Sequence, residues 1–243
     1  MNDLLRFYED RLQAKDFYNV LKQKSEESPN LFNPNIVYSD VNSGKSIMQS
    51  DTPEVNCGDV RIDIPILCGN VNSKLKVLFL GLEPRHTDDM YNIMKIENKV
   101  FATPFGIDKW YSNSKQSVYA SAFEKFLKLD GLFLFSDFVK EYEVNDPNQK
   151  SLNDQKARAN FEKNFTNKYK SILEHEIEIF EPTLIIGLGK GDISKKVPKT
   201  WLDQFNVNVI SHPTNGNFPR MQNELKELLQ KKLARVSIEN ISK

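Results

Sequence analysis

Leu75-Lys76-Val77-Leu78-Phe79-Leu80 runs into Gly81-Leu82-Glu83-Pro84-Arg85-His86, and the fold follows from how this stretch is read. A run that is apolar but for one lysine, closed by glycine, is the pattern of a strand buried on both faces, as in a parallel sheet covered by helices. The residues after it then stand at the strand's C-terminal edge, on a turn stiffened by Pro84. Open α/β sheets gather their chemistry at that edge, so Glu83 and His86 become candidate reactive groups. Val207-Asn208-Val209-Ile210 ends in Ser211-His212-Pro213-Thr214-Asn215-Gly216-Asn217 and brings a second titratable loop to the same edge.

Outward from these two runs, Leu132-Phe133-Leu134-Phe135 before Ser136-Asp137 and Thr183-Leu184-Ile185-Ile186-Gly187-Leu188-Gly189 read as two more buried strands. Between them, apolar residues recur at helical spacing. Tyr119, Ala122, Phe123, Phe126 and Leu127 form one stripe, and Phe161, Phe165, Tyr169, Ile172, Leu173, Ile177 and Phe180, stopped by Pro182, form another. Met221, Leu225, Leu228, Leu229 and Leu233 make the closing helix. Alternating strands and helices predict a three-layer α/β/α sandwich with a short, mainly parallel, four-stranded central sheet.

The remaining segments are less regular. Val60 to Leu67 alternates, and its internal proline suits an edge strand or a bulge. Thr87 to Ser117 is expected to be a loop, rich in aromatics (Phe101, Phe105, Trp110, Tyr111), that folds over the site. Gly187-Leu188-Gly189-Lys190-Gly191 lacks complete dinucleotide or Walker spacing and reads as a strand-to-helix turn. Leu5, Tyr8, Leu12, Phe17 and Leu21 suggest an amphipathic helix, and Ser25 to Asn56 a long loop. Residues 1–58 are therefore expected to be an N-terminal extension and residues 59–243 the catalytic domain.

Composition sets limits. The chain has 243 residues, long enough for one α/β domain with a large core. Its 33 Lys and Arg balance its 33 Asp and Glu, so no global field draws it to nucleic acid, although a local basic cleft is compatible with that balance. The absence of a long apolar stretch and of signal-peptide character predicts a cytoplasmic protein with no membrane partner. Cys57 and Cys68 make neither a zinc pattern nor a disulfide framework. No metal and no cofactor are expected, and a monomer is.

The order of these pieces resembles the uracil-DNA glycosylase superfamily, over roughly residues 75 to 233. Gly81-Leu82-Glu83-Pro84-Arg85-His86 is similar to that family's GQDPYH pattern, keeping the glycine, an acid, the proline and the histidine. Ser211-His212-Pro213-Thr214 resembles its HPSP loop. Phe135-Ser136-Asp137-Phe138-Val139-Lys140 resembles the strand end written TNVVK, and the segment from Phe180 to Gly189 resembles its proline, apolar strand and leucine-glycine. The chain departs from the family in three respects. Two cysteines cannot supply the four ligands of the iron-sulfur branches. Arg85 replaces the tyrosine that fills the space beside a base's 5-position, and Asp137 stands where asparagine is usual.

The resemblance implies a monofunctional DNA glycosylase. Breaking an N-glycosidic bond builds positive charge on the sugar and negative charge on the leaving base. Glu83 is expected to stabilise the former and orient water, and His212 to stabilise the oxyanion at O2. The base must leave the stack, with Phe101 or Phe105 as its aromatic wall. Ser211, Pro213, Thr214, Asn215, Phe218 and Arg220 are the candidate DNA-contacting residues, Phe218 as a wedge and Arg220 on a phosphate. Ionised Asp137 would only accept hydrogen bonds, so it would favour the amino group of cytosine over uracil O4. With the tyrosine gone, Arg85 and His86 become readers of a 5-substituent. The favoured substrate is then a hydroxymethylated or glucosylated cytosine of the kind found in viral DNA, which suggests antiphage defence.

Plainer readings stand beside these. Without the resemblance, Glu83 reads as a loop carboxylate on backbone amides, and Asp137 as a cap for the next segment. A uracil-DNA glycosylase, a catalytically silent member that binds nucleic acid or protein, and a small-molecule nucleotide hydrolase are the competing functions.

Overall fold

The computed structural model describes residues 6–7, 56–63, 65–83, 92–96, 98–102, 104–105, 122–123, 126–144, 165, 169–213 and 217–241. At the centre is β3 (Lys76–Gly81), flanked by β6 (Leu132–Asp137) on one side and β8 (Leu184–Leu188) on the other, all parallel. Beyond β8 lies the parallel β9 (Asn208–Ile210), and beyond β6 the antiparallel β2 (Ile66–Gly69). The order is β2-β6-β3-β8-β9. The four expected strands are the parallel ones, and an antiparallel edge strand makes the sheet five-stranded.

Side chains alternate across a strand, and this divides the core in two. Leu78, Leu80, Leu132, Leu134 and Ile185 face one cluster. It includes Leu173 and Phe180 of α1 (Lys170–Phe180), Ile193 of α2 (Lys190–Lys196), and Trp201 and Leu202 of α3 (Lys199–Gln204). Val77, Phe79, Phe133, Phe135, Ile186 and Leu188 face the other, with Ala122, Phe123 and Phe126, which are helical, and Met221, Leu225 and Leu229 of α4 (Phe218–Ile241). Helices on both faces of a mostly parallel sheet are the expected three layers.

A second sheet departs from expectation. β4 (Asn92–Ile96), β5 (Lys99–Ala102), β1 (Val60–Asp63) and β7 (Glu141–Glu143) pair in the order β4-β5-β1-β7. The segment 87–117 is therefore not a loop throughout. Its residues from Asn92 to Ala102 form a hairpin turning at Asn98, and apolar residues among polar ones there carried a strand signal that the aromatics masked.

Nor is Val60 to Leu67 one strand. β1 pairs antiparallel with β7 and β2 with β6, so a single two-stranded ribbon bends from one sheet into the other near Pro65. Between the Asp63 to Lys140 contact (N to O, 2.8 Å) and the Ile66 to Phe135 pair, one strand carries residues 136–139 and the other only 64 and 65. An unequal count of this kind is a bulge, and bulges bend strands and redirect side chains. Freed from β2, Ser136 and Asp137 stay paired to Leu80 and Gly81, and Phe138 N then donates to Gly81 O at 2.9 Å.

Of the expected extension, Phe7 packs edge-on against His175 of α1, ring centroids 4.8 Å apart. Gly58 N already bonds Val144 O at 2.8 Å. The expected helix over Leu5 to Leu21 and the loop from Ser25 to Asn56 otherwise lie outside the described residues.

Candidate active site

Within this sheet β3 is followed by β6 on one side and later by β8 on the other, so the sheet's topological switch point lies at the C-terminal end of β3. Ligands of open α/β sheets bind in the crevice formed there. Four strand ends meet at this edge: Gly81-Leu82-Glu83 after β3, Asp137 closing β6, Gly189 after β8, and Ser211-His212-Pro213 after β9.

Gly81 decides how closely they meet. A methyl group there would collide with Asp137 Oδ1 and come within 3.1 Å of Phe105 Cζ. Only a glycine lets that carboxyl and that ring close over the strand end. Phe105 is buried, holds a left-handed φ of 56°, and packs on Phe123 and Phe135 at centroid distances of 5.7 and 6.2 Å. Such a backbone conformation costs a non-glycine residue energy and persists where its surroundings dictate it. The Phe105 ring stands 6.4 Å from that of His212. A methyl group on Gly189, whose φ is 130°, would lie 3.8 Å from His212 Cδ2, so the imidazole covers the end of β8. Glu83 is half-buried, near enough for its charge to act on Asp137.

The His212 loop is anchored from α4. Ser211 N donates to Glu224 Oε2 at 2.7 Å, and Glu224 is also reached by Arg220 Nε at 3.2 Å and Lys190 Nζ at 3.9 Å. Burial works to raise the Glu224 pKa, but the Ser211 hydrogen bonds and the two cations hold it below its ordinary value.

Beneath Asp137, at the corner where the sheets meet, lies a buried polar cluster. Lys140 Nζ donates to Glu176 Oε2 at 3.0 Å, to Asp63 Oδ2 at 3.3 Å and to Ser136 Oγ. Asp63 Oδ2 also accepts from the Asp137 backbone N at 3.2 Å. Burial would lower the Lys140 pKa, but Glu176 and Asp63 overcome it and raise it. Burial pushes Asp63 up to about 7, against Lys140 and with help from Glu176. Asp137 is held well above the usual carboxylate range by burial first, then by the Asp63 charge, with Glu83 adding to it and Lys140 opposing. This environment works against the ionised, accept-only form of Asp137. A protonated carboxyl donates through O–H and still accepts through C=O.

The structure thus brings Glu83, Asp137, Phe105 and His212 together. Ser211 and Pro213 are buried beside them. Phe218 opens α4 and is half-buried against the core, a packed position for a residue expected as a wedge, and exposed Arg220 is engaged with Glu224. Phe101 belongs to β5, its backbone opposite Ile62; its side chain, like Arg85, His86, Thr214 and Asn215, lies outside the described residues. Sequence reasoning missed Arg61, Asp63, Lys140, Glu176 and Glu224. In Val60-Arg61-Ile62-Asp63 charged residues alternate with apolar ones, the pattern of a strand with one exposed face, yet Arg61 and Asp63 are buried.

No helix among the described residues is long and apolar enough to cross a membrane. Compared with known proteins, the chain matches no family model and no curated protein.

Proposed function

We propose that this chain is a monofunctional DNA glycosylase, acting as a cytoplasmic monomer without metal or cofactor. The observation that supports it is the meeting of Glu83, Asp137, Phe105 and His212 at the C-terminal edge of β3, where a flipped base and its sugar would both be reached. A carboxylate, a histidine, an aromatic wall and a hydrogen-bonding carboxyl are what hydrolysis of an N-glycosidic bond calls for. Glu83 stabilises the positive charge growing at C1′ and orients the attacking water. His212 stabilises the negative charge growing on the base at O2. The ring of Phe105 supplies apolar surface beside it, and Asp137 reads the base's Watson–Crick edge.

The favoured base is a cytosine carrying a 5-substituent, hydroxymethylated or glucosylated as in viral DNA. Neutral Asp137 accepts from cytosine N4–H and donates to N3, and Arg85 stands where the resembling family closes the 5-position with tyrosine. A second reading, uracil, gains from the burial of Asp137: a protonated carboxyl donates to O4 and accepts from N3–H as asparagine would. Matched DNAs bearing uracil, cytosine, 5-hydroxymethylcytosine and its glucosylated form, scored for abasic sites, separate the two. Release of a modified cytosine is expected. Release of uracil alone would replace the substrate reading, and release from none, with DNA binding intact in Glu83→Gln, would leave a binding protein.

A further inference from the structure

Arg61 and Asp63 on β1, Asp137 at the end of β6, Lys140 in the link to β7 and Glu176 on α1 are each no more than 2 % exposed. Arg61 and Asp63 stand two residues apart, on one face of their strand and about 6.6 Å from each other along it. Two of these side chains are bases and three are acids. With all of them ionised, the interior would hold one uncompensated negative charge, and a buried charge in that position binds a proton instead.

The contacts say which carboxyl binds it. Lys140 is paired with Glu176 and Asp63. No cation pairs with Asp137 among the described residues, and its Oδ2 is buried without a hydrogen-bond partner among them. Its neighbours bring charge of its own sign: Asp63, whose carboxylate accepts from the Asp137 backbone, and Glu83 at the end of β3. Its Oδ1 lies against Gly81, at the strand end that the Phe105 ring also approaches.

We propose that at pH 8 Asp63 and Asp137 hold one proton between them, fixed on Asp137 by the Lys140 and Glu176 pair, and that Asp137 is the acid that protonates N3 of a flipped cytosine-type base. The second half rests on the glycosylase reading; the first does not. In the reaction the Asp137 O–H proton passes to N3. The C1′–N1 bond breaks with its electron pair moving to the base, which leaves as neutral cytosine with its proton on N3. Water adds to C1′ and gives its proton to Glu83, and solvent restores a proton to Asp137. Asparagine could orient the same base but has no proton to give, which is a reason for an acid to stand here. Asp63 touches no substrate and is a positioning residue: it keeps the proton on its neighbour.

The test uses the full chain labelled with ¹³C at aspartate carboxyls, titrated from pH 4 to 9 as wild type, Asp137→Asn and Asp63→Asn. One carboxyl carbon should keep its protonated shift at pH 8 in the wild type and vanish in Asp137→Asn. In Asp63→Asn it should titrate at least one unit lower, and base release at pH 8 should fall about tenfold while its acid limb stays in place. Asp137→Asn should lose roughly 10²-fold in base release, without a matching loss in DNA binding. A wild type with no protonated carboxyl at pH 8, or one that survives Asp137→Asn at that pH, overturns the proposal even if Asp63→Asn fails to fold. A protonated Asp137 in a chain that releases no base keeps the shared proton, and removes both the acid role and the glycosylase reading. Base release with an ionised Asp137 does the reverse for the shared proton, leaving the glycosylase reading in place.

Discussion

At the scale of single residues, the candidate site depends on a missing side chain as much as on those present. Gly81→Ala places a methyl group against Asp137 Oδ1 and the Phe105 ring. Overpacking of this kind costs about 1–3 kcal/mol, and because the displaced groups belong to the site, base release should fall further than stability does; urea denaturation beside an abasic-site assay separates the two. Glu83 is half-buried at a turn. Glu83→Gln should therefore leave the melting temperature nearly unchanged while base release drops about 10²-fold or more, the scale on which loss of an electrostatic partner to the transition state is felt. A melting temperature that fell with activity would point to a structural role. Glu83, Asp137 and His212 were legible in the sequence because each directly follows or closes an apolar run. The upward shift of the Asp137 carboxyl was not, since it comes from burial and from Asp63, 74 residues away in the chain and brought alongside only by the fold.

At the scale of elements, the ribbon that bends from β1 and β7 into β2 and β6 turns a strand end into a site. Its extra residues free Ser136 and Asp137 from β2, and the Lys140 cluster fills the corner. Lys140→Met would leave Asp63 and Glu176 without their shared cation, and breaking a buried pair in this way costs about 3–5 kcal/mol; chemical denaturation measures it. α4 acts on the site through one carboxylate. Glu224→Ala removes the acceptor for Ser211 N, and because Glu224 is half-buried rather than enclosed the stability loss should be about 1 kcal/mol. Base release should suffer more, because the His212 loop loses its anchor. The parallel strands were legible as uninterrupted apolar runs. The second sheet was not: its strands are short and carry polar residues, and Arg61 and Asp63 on β1 look like surface until β5 and β7 are seen on either side of that strand.

At the scale of the whole molecule, the buried acids tie stability to pH. Burial pushes the Asp63 carboxyl up from 3.8 to about 7, and it raises Asp137 as well. The native state therefore binds protons that the unfolded chain has released, and stability falls as pH rises. The contribution is complete below about pH 3.8 and is lost through the window up to about 7 and beyond. Asp137→Asn should flatten that decline, with a gain at pH 8 on the order of 1 kcal/mol, or about 2–4 °C in melting temperature for a domain of this size, and no gain at pH 4; thermal scans across the range check it. The position of β3 bears on how the molecule is made. Its first residue, Lys76, donates its backbone N–H to Thr183 Oγ1 across 107 residues of sequence, so β8 is synthesised long after the strand it will flank. At ordinary translation rates the interval is about 5–20 s. Throughout it, a strand that the finished fold buries at all but its first residue has one side open to any other nascent chain, so yield during synthesis depends on dilution or chaperone cover more than on the stability of the finished fold.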